Sequence, residues 1–89
     1  MVLSKTFSAL SDANRQRIVS MLKERDMTVT EMAEQLGVTM PTVSHHLDVL
    51  KHADLITPRR QGQNVFYSLN LSVVEEVMQK IAEFLVPKK

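Results

Sequence analysis

Residues 38–55, VTMPTVSHHLDVLKHADL, decide how this chain folds. Thr39 is a suitable N-cap, and Met40 and Pro41 fall in the first turn, where a missing amide hydrogen costs little. Val43, Leu47 and Leu50 recur at i, i+4 and i+7, which predicts a helix with one buried stripe. The opposite face carries Thr42, Ser44, His45, Asp48, Lys51 and His52, all able to hydrogen-bond and none bulky. A helix of this size fits the DNA major groove, where short polar side chains near its N-terminus meet base edges. The plainer reading of the same pattern is an amphipathic helix with a solvated face.

The flanking segments separate the two readings. Upstream, Met27-Thr28-Val29 is short and β-prone, and Thr30 is expected to cap a compact helix over 31–36 with Met32, Ala33 and Leu36 inward. Gly37 supplies the left-handed residue that ends it, and the next helix opens a few residues later. Two short helices joined by a tight Gly-containing turn make a helix-turn-helix. Downstream, 55–60 and 64–70 read as strands around Gln61-Gly62-Gln63, with Val65, Tyr67 and Leu69 alternating against Phe66 and Ser68. Gly62 is where positive φ is easiest, so the turn belongs there. Arg59, Arg60 and Gln63 then sit near the tip. After a helix-turn-helix, such a hairpin is a wing whose cations straddle phosphates; the alternative is that they protect an exposed strand edge.

The two ends have a different character. Residues 2–10 place Leu3, Phe7 and Leu10 on one helical face, and Ser11-Asp12 breaks and caps into a second helix over 13–25. There Ile18, Met21 and Leu22 are expected inward, and Arg15, Arg17, Lys23 and Arg25 largely outward. Ser72 and Glu75 match a capping box opening a last helix that Pro87 ends. Its apolar positions run from Val73 to Val86, a stripe wider than the roughly 100° needed to cover one core. Part of that stripe is expected to meet a second copy of the chain, with Leu3, Phe7, Val74, Val77, Met78, Ile81, Phe84 and Leu85 in the seam. Glu75, Glu76, Lys80 and Glu83 on the outer side do not suit DNA.

Eighty-nine residues suffice for one domain, 1–89, and bury a limited core, which also favours a dimer. The absence of cysteine removes disulfides, thiolate metal sites and thiol redox sensing together. A net charge of +1 means that a nucleic-acid binder must gather its cations on one face. No apolar run approaches eighteen residues and MVLSKTFSAL lacks a signal-peptide core, so a cytoplasmic protein without membrane insertion is expected.

All three histidines lie in the central helix. His46 falls on or beside the buried stripe and reads as a hydrogen-bonded packing residue; His45 is rotated away and is the better base or phosphate contact. Asp48 and His52 at i, i+4, with His45, are a poor metal set, since His45 and His52 lie ~10.5 Å apart along the axis. No nucleophile–base pair, paired carboxylate, phosphate-cradling loop or HExxH is present, so the chain reads as neither an enzyme nor a cofactor binder.

With these parts laid out, the chain resembles the ArsR/SmtB family of winged-helix transcriptional repressors. The resemblance runs through ALSDANRQRIVSML, TVTEMAEQLGVTMPTVSHHLDVLKHADLI and RRQGQNVFYSL. The family's S-x-H-L is met by Ser44-His45-His46-Leu47, and its R-x-G hairpin and Y-x-L by Arg60-Gln61-Gly62 and Tyr67-Ser68-Leu69. It implies a fold that is mainly α with a small β-hairpin: about five helices and a two- to three-stranded wing. It also implies a homodimer through the first and last helices, binding double-stranded DNA at an inverted-repeat operator to repress transcription. Thr39, Thr42, Ser44 and His45 would reach base edges or adjacent phosphates, and Met40 and Pro41 would make apolar or backbone contacts. Lys51, Arg59, Arg60 and Gln63 would hold phosphates.

The departures matter too. Where metal-sensing members carry cysteines this chain has EMAEQL, the last helix contains no histidine, and Asp54 stands where glycine is usual. Metal ligation is therefore not carried over. The non-metal, SdpR-like autorepressor branch is the nearest in pattern and implies regulation by a protein partner or by expression level, including sequestration at a membrane. The competing readings are a metal-responsive repressor and a protein-interaction module on the same scaffold.

Overall fold

A computed structural model describes residues 2–86 and shows helices α1 (Val2–Ala9), α2 (Ala13–Glu24), α3 (Val29–Leu36), α4 (Met40–His52) and α5 (Leu71–Leu85). Strands β1 (Ile56–Gln61) and β2 (Asn64–Leu69) lie between α4 and α5. This is a winged helix-turn-helix.

Local chemistry sets most boundaries. Asp12 caps α2 by accepting from the Arg15 amide at 3.1 Å. Gly37 ends α3 in the left-handed region at φ 70°. Thr39 caps α4 by accepting from the Thr42 amide at 3.3 Å, with Pro41 in the first turn. At its far end α4 closes with the Asp54 amide bonded to the Lys51 carbonyl and the Leu55 amide to the Leu50 carbonyl. That crossed pair is a Schellman motif, and it holds Asp54 at φ 60°, a conformation that glycine adopts without strain.

Two caps differ from the sequence reading. The cap of α3 is Thr28, not Thr30: its hydroxyl accepts from the Glu31 amide while Glu31 Oε1 accepts from the Thr28 amide at 3.0 Å. The reciprocal box needs its partners three positions apart, with two residues between them, and Thr28 to Glu31 has that spacing. Ser72 and Glu75 form no box either. The Asn70 amide is held by the Leu55 carbonyl at 2.9 Å, so the chain turns into α5 at once and Asn70 becomes an N-cap without a side-chain bond. At the other end α5 stops at Leu85, and Pro87 lies outside the described residues.

The hairpin pairs Ile56 with Leu69 through Gln61 with Asn64, turning at Gly62, where φ is 63°. A third strand shrinks to one residue, Met27, which bridges Tyr67 through two backbone bonds of 2.8 and 3.2 Å. Residues 65–70 are all half-buried, so the expected alternation is muted.

Ile18 and Leu22 of α2, Met32 and Leu36 of α3, and Val43, Leu47 and Leu50 of α4 bury one core with Met27, Leu55 and Ile56. Met21, expected inside, is half-buried. Helix α1 turns Thr6 and Ala9 inward and leaves Phe7 53 % exposed. In α5 Val77 is buried, whereas Met78, Phe84 and Leu85 stand in the open, Phe84 at 88 %. Val77 is therefore already covered within the protomer, and Val74 is half-buried against the core. Of the residues expected in a seam, Phe7, Met78, Phe84 and Leu85 are exposed, Ile81 is half-buried, and the side chain of Leu3 lies outside the described residues.

Candidate nucleic-acid interface

The helix α4 divides cleanly. Val43, His46, Leu47 and Leu50 are buried, while Thr39, Met40, Pro41, Thr42, Ser44, His45, Asp48, Lys51 and His52 are exposed. Packing of α3 and α2 against the buried stripe is what orients the exposed one.

The exposed side chains are unequally committed. Thr39 and Thr42 hydroxyls bond each other at 2.8 Å, and Met40 Sδ accepts weakly from Thr30 at 3.9 Å, so the entry of α4 is a pre-set surface. Ser44, His45 and Lys51 have no polar partner among the described residues. His52 Nδ1 donates to the Asp48 carbonyl at 2.7 Å, which leaves Nε2 pointing outward from the last turn.

His46 is 7 % exposed and packs as expected from the stripe. Its partner was not expected. Arg15, read as an outward cation, is turned inward: Nη1 meets His46 Nδ1 at 3.2 Å, Nε donates to the Ala9 carbonyl at 2.7 Å, and Nη2 to the Ser8 carbonyl at 3.3 Å. Those carbonyls end α1: Ser8's also accepts from the Ser11 amide and hydroxyl, while Ala9's is left for the guanidinium, which settles there. The signal was in the periodicity, since Arg15, Ile18 and Leu22 fall at i, i+3 and i+7 on one face. Asp12, with Oδ1 at 3.9 Å from His46 Nε2, has its carboxyl held below the usual range, first by the Arg15 amide. The Glu31 carboxyl is likewise lowered, first by the Thr28 amide and then by Arg25, whose Nη1 lies 2.9 Å away.

The wing distinguishes its two arginines. Arg59 is tied down: Nη2 lies 3.0 Å from Asp26 Oδ2, Nη1 donates to Gln61 Oε1 at 2.7 Å, and the guanidinium sits 5.4 Å from the Phe66 ring centre. Arg60, its neighbour along an extended strand, points to the other face and has no polar partner among the described residues. Gln63 is exposed at the turn. Among the described residues no three His, Cys, Asp or Glu side chains come together as a metal site would need.

The profile of a helix-turn-helix domain family matches residues 10–59. The chain is 37 % identical over 83 residues to the transcriptional repressor SdpR of Bacillus subtilis, covering 93 % of this chain and 92 % of that one. It is 35 % identical over 83 residues to a transcriptional repressor SmtB homologue of Synechocystis sp., covering 93 % of this chain and 63 % of the longer relative. In structure it superposes with a TM-score of 0.76 and 22 % identity on a homodimeric winged helix-turn-helix DNA-binding domain of Mycobacterium bovis, over 97 % of this chain and 82 % of that one.

Proposed function

The chain belongs to the ArsR/SmtB family of winged helix-turn-helix transcriptional regulators, and from that membership we propose that it represses transcription as a homodimer on an inverted-repeat operator. The family consists of DNA-binding regulators, not enzymes. The observation that carries the proposal is the division of α4: one stripe locked into the core, the other exposed, polar and flanked by a basic wing.

In this reading α4 enters the major groove from its Thr39 end. Ser44 and His45 reach base edges, Thr39 and Thr42 contact edges or phosphates beside them, and Met40 and Pro41 make apolar and backbone contacts. Lys51 and Arg60 neutralise phosphates, Gln63 hydrogen-bonds to them, and Arg59 fixes the wing at the angle Arg60 needs. Residues 1–89 act as one domain. The seam is formed by Phe7 with Met78, Ile81, Phe84 and Leu85, residues that otherwise leave an apolar patch in water. Two copies joined there set the reading helices one DNA turn apart, ~34–36 Å. Such a dimer acts on chromosomal DNA in the cytoplasm, and no helix among the described residues is long and apolar enough to cross a membrane. A regulatory protein partner has the same exposed seam to compete for.

Immobilised protein should retain genomic fragments sharing an inverted repeat, and fluorescence anisotropy should then follow the affinity across salt. Lys51 and Arg60 on two protomers neutralise four phosphates, giving a log–log slope of about −4. Retention of no DNA, or salt-independent binding, overturns the proposal.

A further inference from the structure

The exposed stripe of α4 contains a residue that does not suit a surface facing phosphates. Asp48 is exposed, lies one turn beyond Ser44 and His45, and precedes Lys51 and His52 by the same spacing. Its carboxylate forms no ion pair among the described residues. His52 bonds to its backbone carbonyl rather than to its side chain, and Lys5, which lines the same groove between α1 and α4, does not pair with it. A bare negative charge therefore stands among the side chains that would meet DNA.

Resting on the DNA-reading role of α4, we infer that Asp48 is a specificity-determining residue that selects cytosine in each half-site. Pro41, Ser44, His45 and Asp48 fall at i, i+3, i+4 and i+7, the stripe along which a groove-bound helix reads base edges over successive turns. Asp48 sits ~6 Å along the axis from Ser44, close to two base-pair steps away. An ionised carboxylate accepts and cannot donate. Guanine offers it O6 and N7 and thymine O4, all acceptors, so both are repelled. Adenine offers N6–H beside the acceptor N7. Cytosine alone presents an N4–H donor with no acceptor on its own edge. Opposite guanine or thymine the carboxylate keeps its repulsion from the phosphates without compensation, and opposite adenine the N7 acceptor offsets the N6–H donor, so Asp48 lowers binding to random DNA more than to the operator. A chain with a net charge of +1 gains discrimination by this route rather than by raw affinity.

The test is selection from a randomised half-site library by wild-type protein and Asp48→Asn, followed by anisotropy on the recovered sites. The exposed position lets the variant fold, and thermal melting checks that. Expected is a cytosine at one position of each half-site for the wild type, with any other base there weakening binding about tenfold or more. Asp48→Asn should lose that preference or shift it to adenine, with which an amide pairs through N6 and N7, while other positions stay unchanged. If Asp48→Asn tightens binding to every sequence by one factor and keeps the wild-type preferences, Asp48 is a repulsive surface charge and the inference fails. If the wild type selects no sequence at all, the reading role of α4 fails with it, and the two failures are told apart by the wild-type result.

Discussion

Arg15 and His46 join two helices with different tasks: the guanidinium meets His46 Nδ1 at 3.2 Å on α4 while holding the last carbonyls of α1. Arginine can only donate, so Nδ1 is the unprotonated nitrogen and the ring proton sits on Nε2, toward Asp12. The helix carrying exposed Phe7 is thus bonded through one side chain to the helix proposed to read DNA. Arg15→Met should cost about 2 kcal/mol in denaturant unfolding, because the buried His46 nitrogen and the Ala9 carbonyl lose their donor, whereas the Ser8 carbonyl keeps Ser11. His46→Gln keeps an acceptor and should cost clearly less than His46→Leu. Equal losses for the two His46 variants would show that the bond contributes nothing beyond packing.

The cap of α3 gives a second, narrower prediction. Thr28→Ala removes the capping hydroxyl and should cost about 1 kcal/mol, a fall in Tm of ~4–8 °C. Thr30→Ala, in the exposed first turn, should stay within about 0.5 kcal/mol. Comparable shifts in calorimetry for the two variants would contradict the Thr28–Glu31 box.

Why one threonine was legible and the other not shows what sequence carries. The turn between α3 and α4 is punctuated by Gly37, Thr39 and Pro41, each with one local role, and the wing by Gly62; these could be read directly. Thr28 and Thr30 have equal local propensity, and the reciprocal partner Glu31 decides between them. Ser72 and Glu75 show the opposite case, a correct pattern overruled by a tertiary bond from Asn70 to Leu55. The charge of Arg15 suggests solvent, whereas its position continues the buried stripe of Ile18 and Leu22. In the candidate interface, residue types located the face, but how far Arg59 is committed to Asp26 depends on a contact distant in sequence.

The lowered carboxyls of Asp12 and Glu31 fix a pH dependence. Each gives up its proton more readily folded than unfolded, so below the ordinary carboxylate range the unfolded chain binds more protons. The resulting stabilisation is complete above about pH 5 and disappears as pH falls through the lowered folded values. Asp12→Asn with Glu31→Gln should therefore flatten the fall of Tm between about pH 5 and pH 2. Parallel curves for wild type and variant would mean that these groups are not ionised preferentially in the folded chain.

Phe84, 88 % exposed at the end of α5, is the most direct probe of the seam. Phe84→Glu places a charge in the apolar patch and should shift the sedimenting species from twice 10.1 kDa to 10.1 kDa while leaving the core intact. Operator affinity should fall with it, since two half-sites are then bound by separate molecules. A dimer that persists with Phe84→Glu would place the seam elsewhere.

The two wing arginines, adjacent in sequence, should behave differently. Arg60, without a partner among the described residues, is available to a phosphate, so Arg60→Ala should weaken binding to specific and random DNA alike. Two protomers each lose one contact, and the salt slope should flatten by about 2. Folding stability should hardly change, because nothing in the protomer depends on that side chain. Arg59 sits in an exposed ion pair with Asp26, worth between about 0 and 1 kcal/mol, and over Phe66. Arg59→Ala should therefore lower Tm slightly and loosen the wing, weakening DNA binding with a smaller change in slope. Asp26→Asn should reproduce that loss without touching any group that faces DNA. If Arg59→Ala flattens the slope as much as Arg60→Ala, and Asp26→Asn does nothing, then Arg59 leaves Asp26 for a phosphate when DNA binds.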